Sequence, residues 1–185
     1  MTNETDTTTA AAIATRSAVS RRARHRRDVI HDDRRLVLAD VENLLGCEPR
    51  HANSALFELA IEALLDRIGY RVGVDQLVIG AGPLSAVKVF GVRVPHRLVV
   101  RRGPSGADRA LVDAIADHCH VAARYDEVVV ASGDHEFTST VAGCSAHGLR
   151  TTVVGRGGSI SRELAGVADE VVEVPSAQHL VGLAA

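Results

Sequence analysis

Acidic side chains follow three separate stretches of this sequence that have the composition of buried strands, RLVLA, HRLVV and VVVAS. With one neighbouring amide, these side chains are Asp40, Glu42, Asn43, Asp108, Asp134 and Glu136. Two carboxylates about 4 Å apart repel each other by roughly 4 kcal/mol at an effective dielectric constant near 20, so several together need a compensating charge. A divalent cation supplies that charge, and oxygen ligands of this kind suit Mg²⁺ or Mn²⁺ rather than Zn²⁺.

The elements that must position these acids alternate between strand and helix from Leu36 onward. The predicted strands are RLVLAD, DQLVIG, HRLVV, DEVVVAS, RTTVVG and EVVEV. The predicted helices are SALFELAIEALLDRIG, a short one from Pro83, GADRALVDAIADHCHVAARY, EFTSTVAGCSAHG and ISRELAGVA. This alternation predicts an α/β fold, a three-layer sandwich with a mostly parallel sheet of five or six strands. Because ligands bind at the carboxyl ends of such strands, the acids are expected to converge at one edge of the sheet.

The long helix predicted from Gly106 to Tyr125 indicates how Asp108 is oriented. At about 100° per residue, its apolar side chains fall on one face that extends to Cys119, and Asp108 lies at the edge of that face. Asp113 and Asp117 point the opposite way. Asp108 is therefore expected to face the sheet, and the other two acids are expected to face solvent.

Each acid also has a structural explanation that needs no metal ion. Asp108 could stabilise the N-terminus of its helix, with Ser105 as the N-cap. Asp134 and Glu136 could do the same for the next helix, and Asp40 could be a turn residue. These roles are compatible with a metal site, but they do not explain why matching acids follow three strands.

Composition favours a globular protein without a membrane segment. The chain has 185 residues, of which 46% are apolar, enough for one domain with its own core. No run approaches the roughly 18 to 20 apolar residues that span a bilayer, and the N-terminus has no secretory pattern. A cytoplasmic protein with no membrane partner is expected.

Residues 1–34 are expected to form a flexible basic N-terminal tail. Residues 1–35 contain eight Arg and five acids, whereas the remainder contains 13 basic and 18 acidic residues and is therefore not a generally basic nucleic-acid binder. The polar composition of the tail buries too little apolar surface to order it. The tail is either an arm that adds nucleic-acid contacts or a solvated run of charge.

With its motifs in this order, the sequence resembles the NYN domains, a PIN-like nuclease group. VLADVENL resembles their Asp-x-x-Asn opening, GADRALVDAI their Gly-x-Asp segment, and SGDHEF their Ser-Gly-Asp-x-Asp-Phe motif. HGLRTTVVG and LAGVADEVVEV are similar to their closing elements. The resemblance covers about residues 36–174, which implies a Rossmann-like NYN/PIN-like domain over 35–176 and a C-terminal tail over 177–185.

This resemblance implies a metal-dependent ribonuclease that binds RNA and hydrolyses its phosphodiester bonds with Mg²⁺ or Mn²⁺. If the roles of the family's motif residues apply at the matching positions, Asp40, Asp108 and Asp134 would be catalytic metal ligands. Asn43 would be the accompanying catalytic amide. Glu136 would be a further ligand, at a position where the family usually has aspartate. Its additional methylene could move the ion or its water by more than about 1 Å, which lowers the rate when positioning is tight.

Other residues leave alternatives open. Glu42 is either an extra ligand or a surface charge, and Arg101 and Arg102 either contact RNA phosphates or are solvated. Because position 136 has glutamate where the family usually has aspartate, the chain could instead be a catalytically weak RNA-binding or protein-interaction module of the same fold. The sequence also leaves open whether identical chains associate into a homo-oligomer.

The segment VIGAGPLSA indicates a rival function. Gly80, Gly82 and Ser85 nearly fit the dinucleotide-binding fingerprint after a strand. Roughly 20 residues later, Arg101 and Arg102 could bind the 2′-phosphate of NADP. Against an NADP-binding Rossmann module, the third fingerprint position is Ser, the strand is the second of the series, and the acids have no role in it. A tight turn explains the glycines as well.

Overall fold

A sheet of six strands forms the centre of this protein, and all five strand pairs are parallel. The computed structural model describes residues 33–183. The strands are β1 (Arg35–Asp40), β2 (Gln76–Ala81), β3 (His96–Val100), β4 (Glu127–Ala131), β5 (Arg150–Arg156) and β6 (Glu170–Val174). Their order in the sheet is β3-β2-β1-β4-β5-β6.

Helices follow most of the strands and cover both faces of the sheet. They are α1 (Val41–Leu45), α2 (Ser54–Arg67), α3 (Pro83–Val89), α4 (Gly106–Ala114), α5 (His118–Ala122), α6 (Thr138–Ala146), α7 (Arg162–Ala165) and α8 (Ala177–Leu183). Short 3₁₀ helices span Pro49–His51 and His135–Phe137. No helix within residues 33–183 is both long and apolar enough to cross a bilayer.

Two hydrophobic cores lie on opposite faces of the sheet, because side chains alternate along each strand. Val37 and Ala39 of β1 pack with α1, α2 and α3. Leu36 and Leu38 pack on the other face with α4 to α7. The predicted three-layer α/β sandwich with a parallel sheet is therefore confirmed.

The chain changes direction across the sheet between β1 and β4. From β1 it builds outward through β2 to β3, and it then returns to place β4 on the other side of β1. The helices after β1 cover one face and α6, after β4, covers the other. In sheets of this topology, the carboxyl ends of the two strands at the switch point form a crevice for a ligand.

The single helix predicted from Gly106 to Tyr125 is wrong, because two helices occupy this segment. Ile115 leaves the helical conformation, with φ of −127°. Asp117 then begins α5, since its side chain accepts a hydrogen bond from the His120 N–H. Cys119 is consequently exposed instead of continuing the buried face.

The short helices at the two ends of the domain were not predicted. α1 begins directly after Asp40 and buries Val41, Leu44 and Leu45. α8 lies in the predicted C-terminal tail over 177–185 and packs against α1 and α2, with Ala177 buried. Helices of one or two turns show too little periodicity to be recognised in a sequence. Residues 1–32, which contain most of the predicted basic tail, lie outside the described residues.

Candidate active site

Asp40 and Asp108 meet at the crevice, and we call them the acid pair. Asp40 ends β1, Asp108 lies in the first turn of α4, and they are only 6% and 7% exposed. Their carboxyl groups are within hydrogen-bond reach when one of them holds a proton. As predicted, Asp108 faces the sheet, whereas Asp113 and Asp117 are exposed. Ser105 is not the predicted side-chain cap, because it has a φ of 50° and makes no capping bond.

Burial and mutual repulsion both disfavour ionisation of the acid pair. Burial raises the pKa of Asp40 well above its usual value, and the charges of Asp108 and Glu42 raise it further. Burial also raises the pKa of Asp108, against a hydrogen bond with Asp40 that lowers it. The charges of Asp134 and Glu136 then raise the Asp108 pKa further. The Oδ1 atoms of both members of the pair are buried and have no hydrogen-bond partner among residues 33–183. Such oxygens are costly unless a proton or a cation satisfies them.

Hydrogen bonds of the Ser132 and Asn43 side chains connect the end of β1 with the end of β4. The hydroxyl of Ser132, which is fully buried, donates to Asp40 Oδ2 at 3.3 Å and accepts from the Asp134 N–H at 3.2 Å. Asn43 Oδ1 accepts from the Gly133 N–H at 3.3 Å. One carboxylate oxygen of Asp40 is thereby held in place, and the other is left for a ligand.

Asp134 and Glu136 lie at the rim of the site. Asp134 Oδ1 accepts from the Glu136 N–H at 2.9 Å, so it caps the short helix His135–Phe137 as the structural explanation predicted. The Glu136 side chain is 28% exposed, and its Oε2 lies 3.9 Å from Nε of Arg109. Because both carboxylates raise the pKa of Asp108, they nevertheless belong to one acidic site.

Glu42 connects the loop after β1 with the loop after β2. Its Oε1 accepts a hydrogen bond from the Gly82 N–H at 2.9 Å, so it is not simply a surface charge. A dinucleotide pyrophosphate would need that same N–H and would be repelled by the carboxylate. A Cβ atom on Gly80 would lie 2.6 Å from Leu111 Cγ, so the close approach of α4 explains this glycine. The geometry therefore opposes the NADP-binding alternative.

The two arginines predicted at the rim differ in their surroundings. Arg101 pairs with Asp113, with Nη1 2.7 Å from Oδ2. Arg102 is exposed and forms no ion pair with another residue in 33–183. Arg102 is thus the better placed of the two to bind a phosphate.

The contributions of Ser132 and Arg109 to the site were not predicted from the sequence. A signal for Ser132 was present, because it lies two residues after Val130 of β4, so alternation places its side chain on the face that Asp40 shares with Leu38. Arg109 carried no such signal, since its distance to Glu136 depends on how α4 packs against the short helix before α6.

Comparison with known proteins identifies the family of this chain. No curated protein matches it. A solved structure, a protein of unknown function from Vibrio parahaemolyticus RIMD 2210633, is similar with a TM-score of 0.47 and 21% identity, over 77% of this chain and 93% of that one. A likeness that weak carries no functional argument. The NYN domain model, by contrast, matches residues 35–175. Because this match spans all six strands and every acid of the crevice, the chain belongs to the NYN domain family.

Proposed function

We propose that this NYN domain is a divalent-metal-dependent ribonuclease that hydrolyses RNA at the crevice between β1 and β4. The observation that carries the proposal is the acid pair, two buried carboxyl groups whose Oδ1 atoms accept no hydrogen bond from the described part of the chain. Buried acids with raised pKa values in a cleft are characteristic of functional sites, because they lower the stability of the fold unless a ligand binds them. Membership of a PIN-like nuclease group supports RNA as the substrate.

The acid pair fits a hard divalent cation, the type of ion that PIN-like nucleases generally use. Asp40 and Asp108 would hold the ion, with Asp134 and Glu136 completing its shell directly or through water. Between residues 33 and 183, no three Asp, Glu, His or Cys side chains already lie close enough to hold a metal ion together. The side chain of Asp134 or Glu136 therefore has to rotate toward the acid pair to supply a third ligand. When bound, such an ion neutralises phosphoryl charge and lowers the pKa of a water molecule.

Residues around the acid pair would position the substrate. Ser132 keeps Asp40 oriented through its hydrogen bond to Oδ2. Asn43 uses its Oδ1 on the Gly133 N–H, which leaves its amide N–H groups as donors to a phosphate oxygen or a water. Arg109, with a side chain 58% exposed, would exchange its distant contact with Glu136 for a substrate phosphate.

A catalytically weak RNA-binding module is the second candidate. It is favoured by the position of Glu136, whose longer side chain extends to within 3.9 Å of the Arg109 guanidinium at the rim. If this contact persists with substrate bound, Glu136 cannot complete the shell of an ion. The site would then bind RNA without efficient cleavage.

Cleavage of a labelled single-stranded RNA with Mg²⁺ or Mn²⁺ tests the proposal. Asp40→Asn and Asp108→Asn should each reduce the rate by about 100-fold or more, because each removes a charged ligand. Asp66→Asn is the matched control, since Asp66 is an exposed acid on α2 that forms no ion pair with another residue in 33–183. Circular dichroism verifies that all variants are folded. Equal cleavage by the control and the two site variants would refute the proposal.

Glu136→Asp separates the two candidates. If the glutamate weakens an enzyme, the shorter side chain should release Arg109 and increase the cleavage rate by about 10-fold or more. A reduced rate would show that the natural enzyme already uses Glu136, and an unchanged rate would show that the glutamate does not weaken the enzyme. RNA binding without cleavage by either form would support the binding module.

A further inference from the structure

Positive charge is concentrated in one continuous part of the domain. Residues 76–107, which form β2, α3, β3 and the loop to α4, contain five Lys or Arg and no Asp or Glu. The other described residues, 33–75 and 108–183, contain ten Lys or Arg and nineteen Asp or Glu. Such a separation of charge within one domain creates a local positive potential that attracts anions.

This positive segment forms an edge of the sheet. β3 is the last strand on its side and pairs only with β2, so its other edge is not covered by a strand within residues 33–183. Arg93, Arg97 and Arg102 are exposed before, within and after β3. We call these three residues and the open side of β3 the basic edge.

Within residues 33–183, no acid neutralises the three arginines of the basic edge. None of them forms an ion pair with any other residue between 33 and 183. Carboxylates reach this side of the domain elsewhere, where Asp113 pairs with Arg101 and Glu58 lies against Gly91. Three unpaired guanidinium groups therefore keep their donors available for an anionic ligand.

The basic edge leads to the acid pair. In the register of the sheet, Asp40 lies beside Gly80, and Gly80 lies beside Val99 of β3. Two strand spacings correspond to about 10 Å, and Arg102 comes three residues after Val99 at the same end of the sheet. A polyanion at the crevice can thus continue over the end of β3 toward Arg97.

A cavity near the other end of β3 extends the positive surface. It has a volume of about 140 Å³ and lies between the first halves of β1 and β2 and the helix α5. Arg97, His120 and Arg124 line it together with Tyr125, and no carboxylate of the described residues does. The cavity adds cationic and aromatic groups of the kind that bind phosphates and stack on bases.

Protection of an edge strand is a simpler explanation for part of this pattern. Charged residues on an edge strand discourage pairing with a second sheet. That explanation applies to Arg97, which lies within β3, but Arg93 and Arg102 lie outside the strand and contribute nothing to it. It also does not explain the absence of acids over all of residues 76–107.

We propose that the basic edge binds the backbone phosphates of a single-stranded nucleic acid whose reacting bond lies at the acid pair. This inference rests on the proposed ribonuclease function and names the surface that holds its substrate. A single strand fits because the arginines lie before, within and after one edge strand, and because the acid pair is too deeply buried for a stacked duplex to reach.

Binding of a fluorescein-labelled single-stranded RNA, measured by anisotropy in EDTA with the full chain, tests the inference without cleavage. The test variant is Arg93→Gln/Arg97→Gln/Arg102→Gln. The matched control is Arg50→Gln/Arg67→Gln/Arg150→Gln, which removes the same charge from exposed positions outside residues 76–107. The arginine-rich residues 1–35 are identical in both, so their contribution cancels.

We expect the test variant to bind at least 10-fold more weakly than the control at moderate salt. The slope of log K against log salt should fall by about 2, since each lost phosphate contact on a single strand contributes about 0.7. Equal losses in the two variants would overturn the inference, even if the wild type cleaves RNA. The expected loss of binding in a protein that never cleaves RNA would instead count against the proposed reaction and leave the basic edge supported.

Discussion

Replacing Asp40 with asparagine should stabilise the metal-free protein while it abolishes cation binding. Asp40 is a buried acid beside a second buried acid, and the Oδ1 of each finds no hydrogen-bond partner between residues 33 and 183. Asparagine has nearly the same shape, removes one of the two charges and adds N–H donors for the unsatisfied oxygen of Asp108. The side chain that lowers stability is therefore the one that we expect the ion to need.

The size of this effect follows from the charges in the pair. Two carboxylates about 4 Å apart repel by about 4 kcal/mol at an effective dielectric constant near 20, and uptake of a proton by the pair, which the raised pKa values favour, relieves part of this repulsion. We therefore expect Asp40→Asn to increase the free energy of unfolding by about 2 kcal/mol. For a domain of this size, this increase raises the melting temperature by about 4 to 8 °C.

The stability that Asp40→Asn gains over the wild type should increase as the pH rises. Because the pKa values of Asp40 and Asp108 are raised in the folded state, that state binds more protons than the unfolded chain above about pH 4. The stability of the metal-free wild type should therefore fall as the pH rises, and Asp40→Asn should reduce this fall. The advantage of the variant is expected to be largest above neutral pH and small near pH 4.

Thermal unfolding with EDTA and with Mg²⁺ measures both parts of the prediction, and Asp66→Asn again serves as the control. Mg²⁺ should stabilise the wild type and the control by mass action but leave Asp40→Asn unchanged. A lower melting temperature of Asp40→Asn than of the wild type in EDTA at neutral pH would show that the acid pair does not destabilise the fold. An equal rise in the melting temperature of all three proteins with Mg²⁺ would show that Asp40 is not a ligand of the ion.

Three further predictions concern the ion, a loop and a structural ion pair. Binding of Mg²⁺ should release protons, because the acid pair has raised pKa values, and calorimetry in two buffers with different ionisation enthalpies should detect them. Gly133→Ala should lower stability by about 1 to 3 kcal/mol in urea unfolding, since its Cβ would lie 2.2 Å from the Ser159 carbonyl oxygen; unchanged stability would contradict this. Burial alone would raise the pKa of Asp75, but hydrogen bonds from Arg35 and Arg71 lower it to about 2. Its contribution to stability should be complete above about pH 4 and lost as the pH falls toward 2, and Asp75→Asn should flatten that part of the profile.

Local sequence determined the strands and their order along the chain. The four inner strands, β2, β1, β4 and β5, are buried on both faces and read as short, largely apolar runs, whereas the edge strands β3 and β6 are partly exposed and include charged residues. All six runs are strands in the structure, because this signal requires no information from distant residues. The break between α4 and α5 was not recognised, because its cause is a cap made by Asp117 inside an otherwise helical pattern.

The sequence also established that acids lie at three strand or helix ends, but not which of them form the site. Asp40 and Asp134 follow their strands in similar contexts, yet only Asp40 is paired with Asp108 in the buried part of the crevice. Asp134 instead caps a short helix, and Glu42 binds the Gly82 N–H. These differences were decided by tertiary structure, because the partner of a side chain depends on which strands are neighbours and where α4 crosses them. That information comes from packing of the whole sheet, and the residues around any one acid do not contain it.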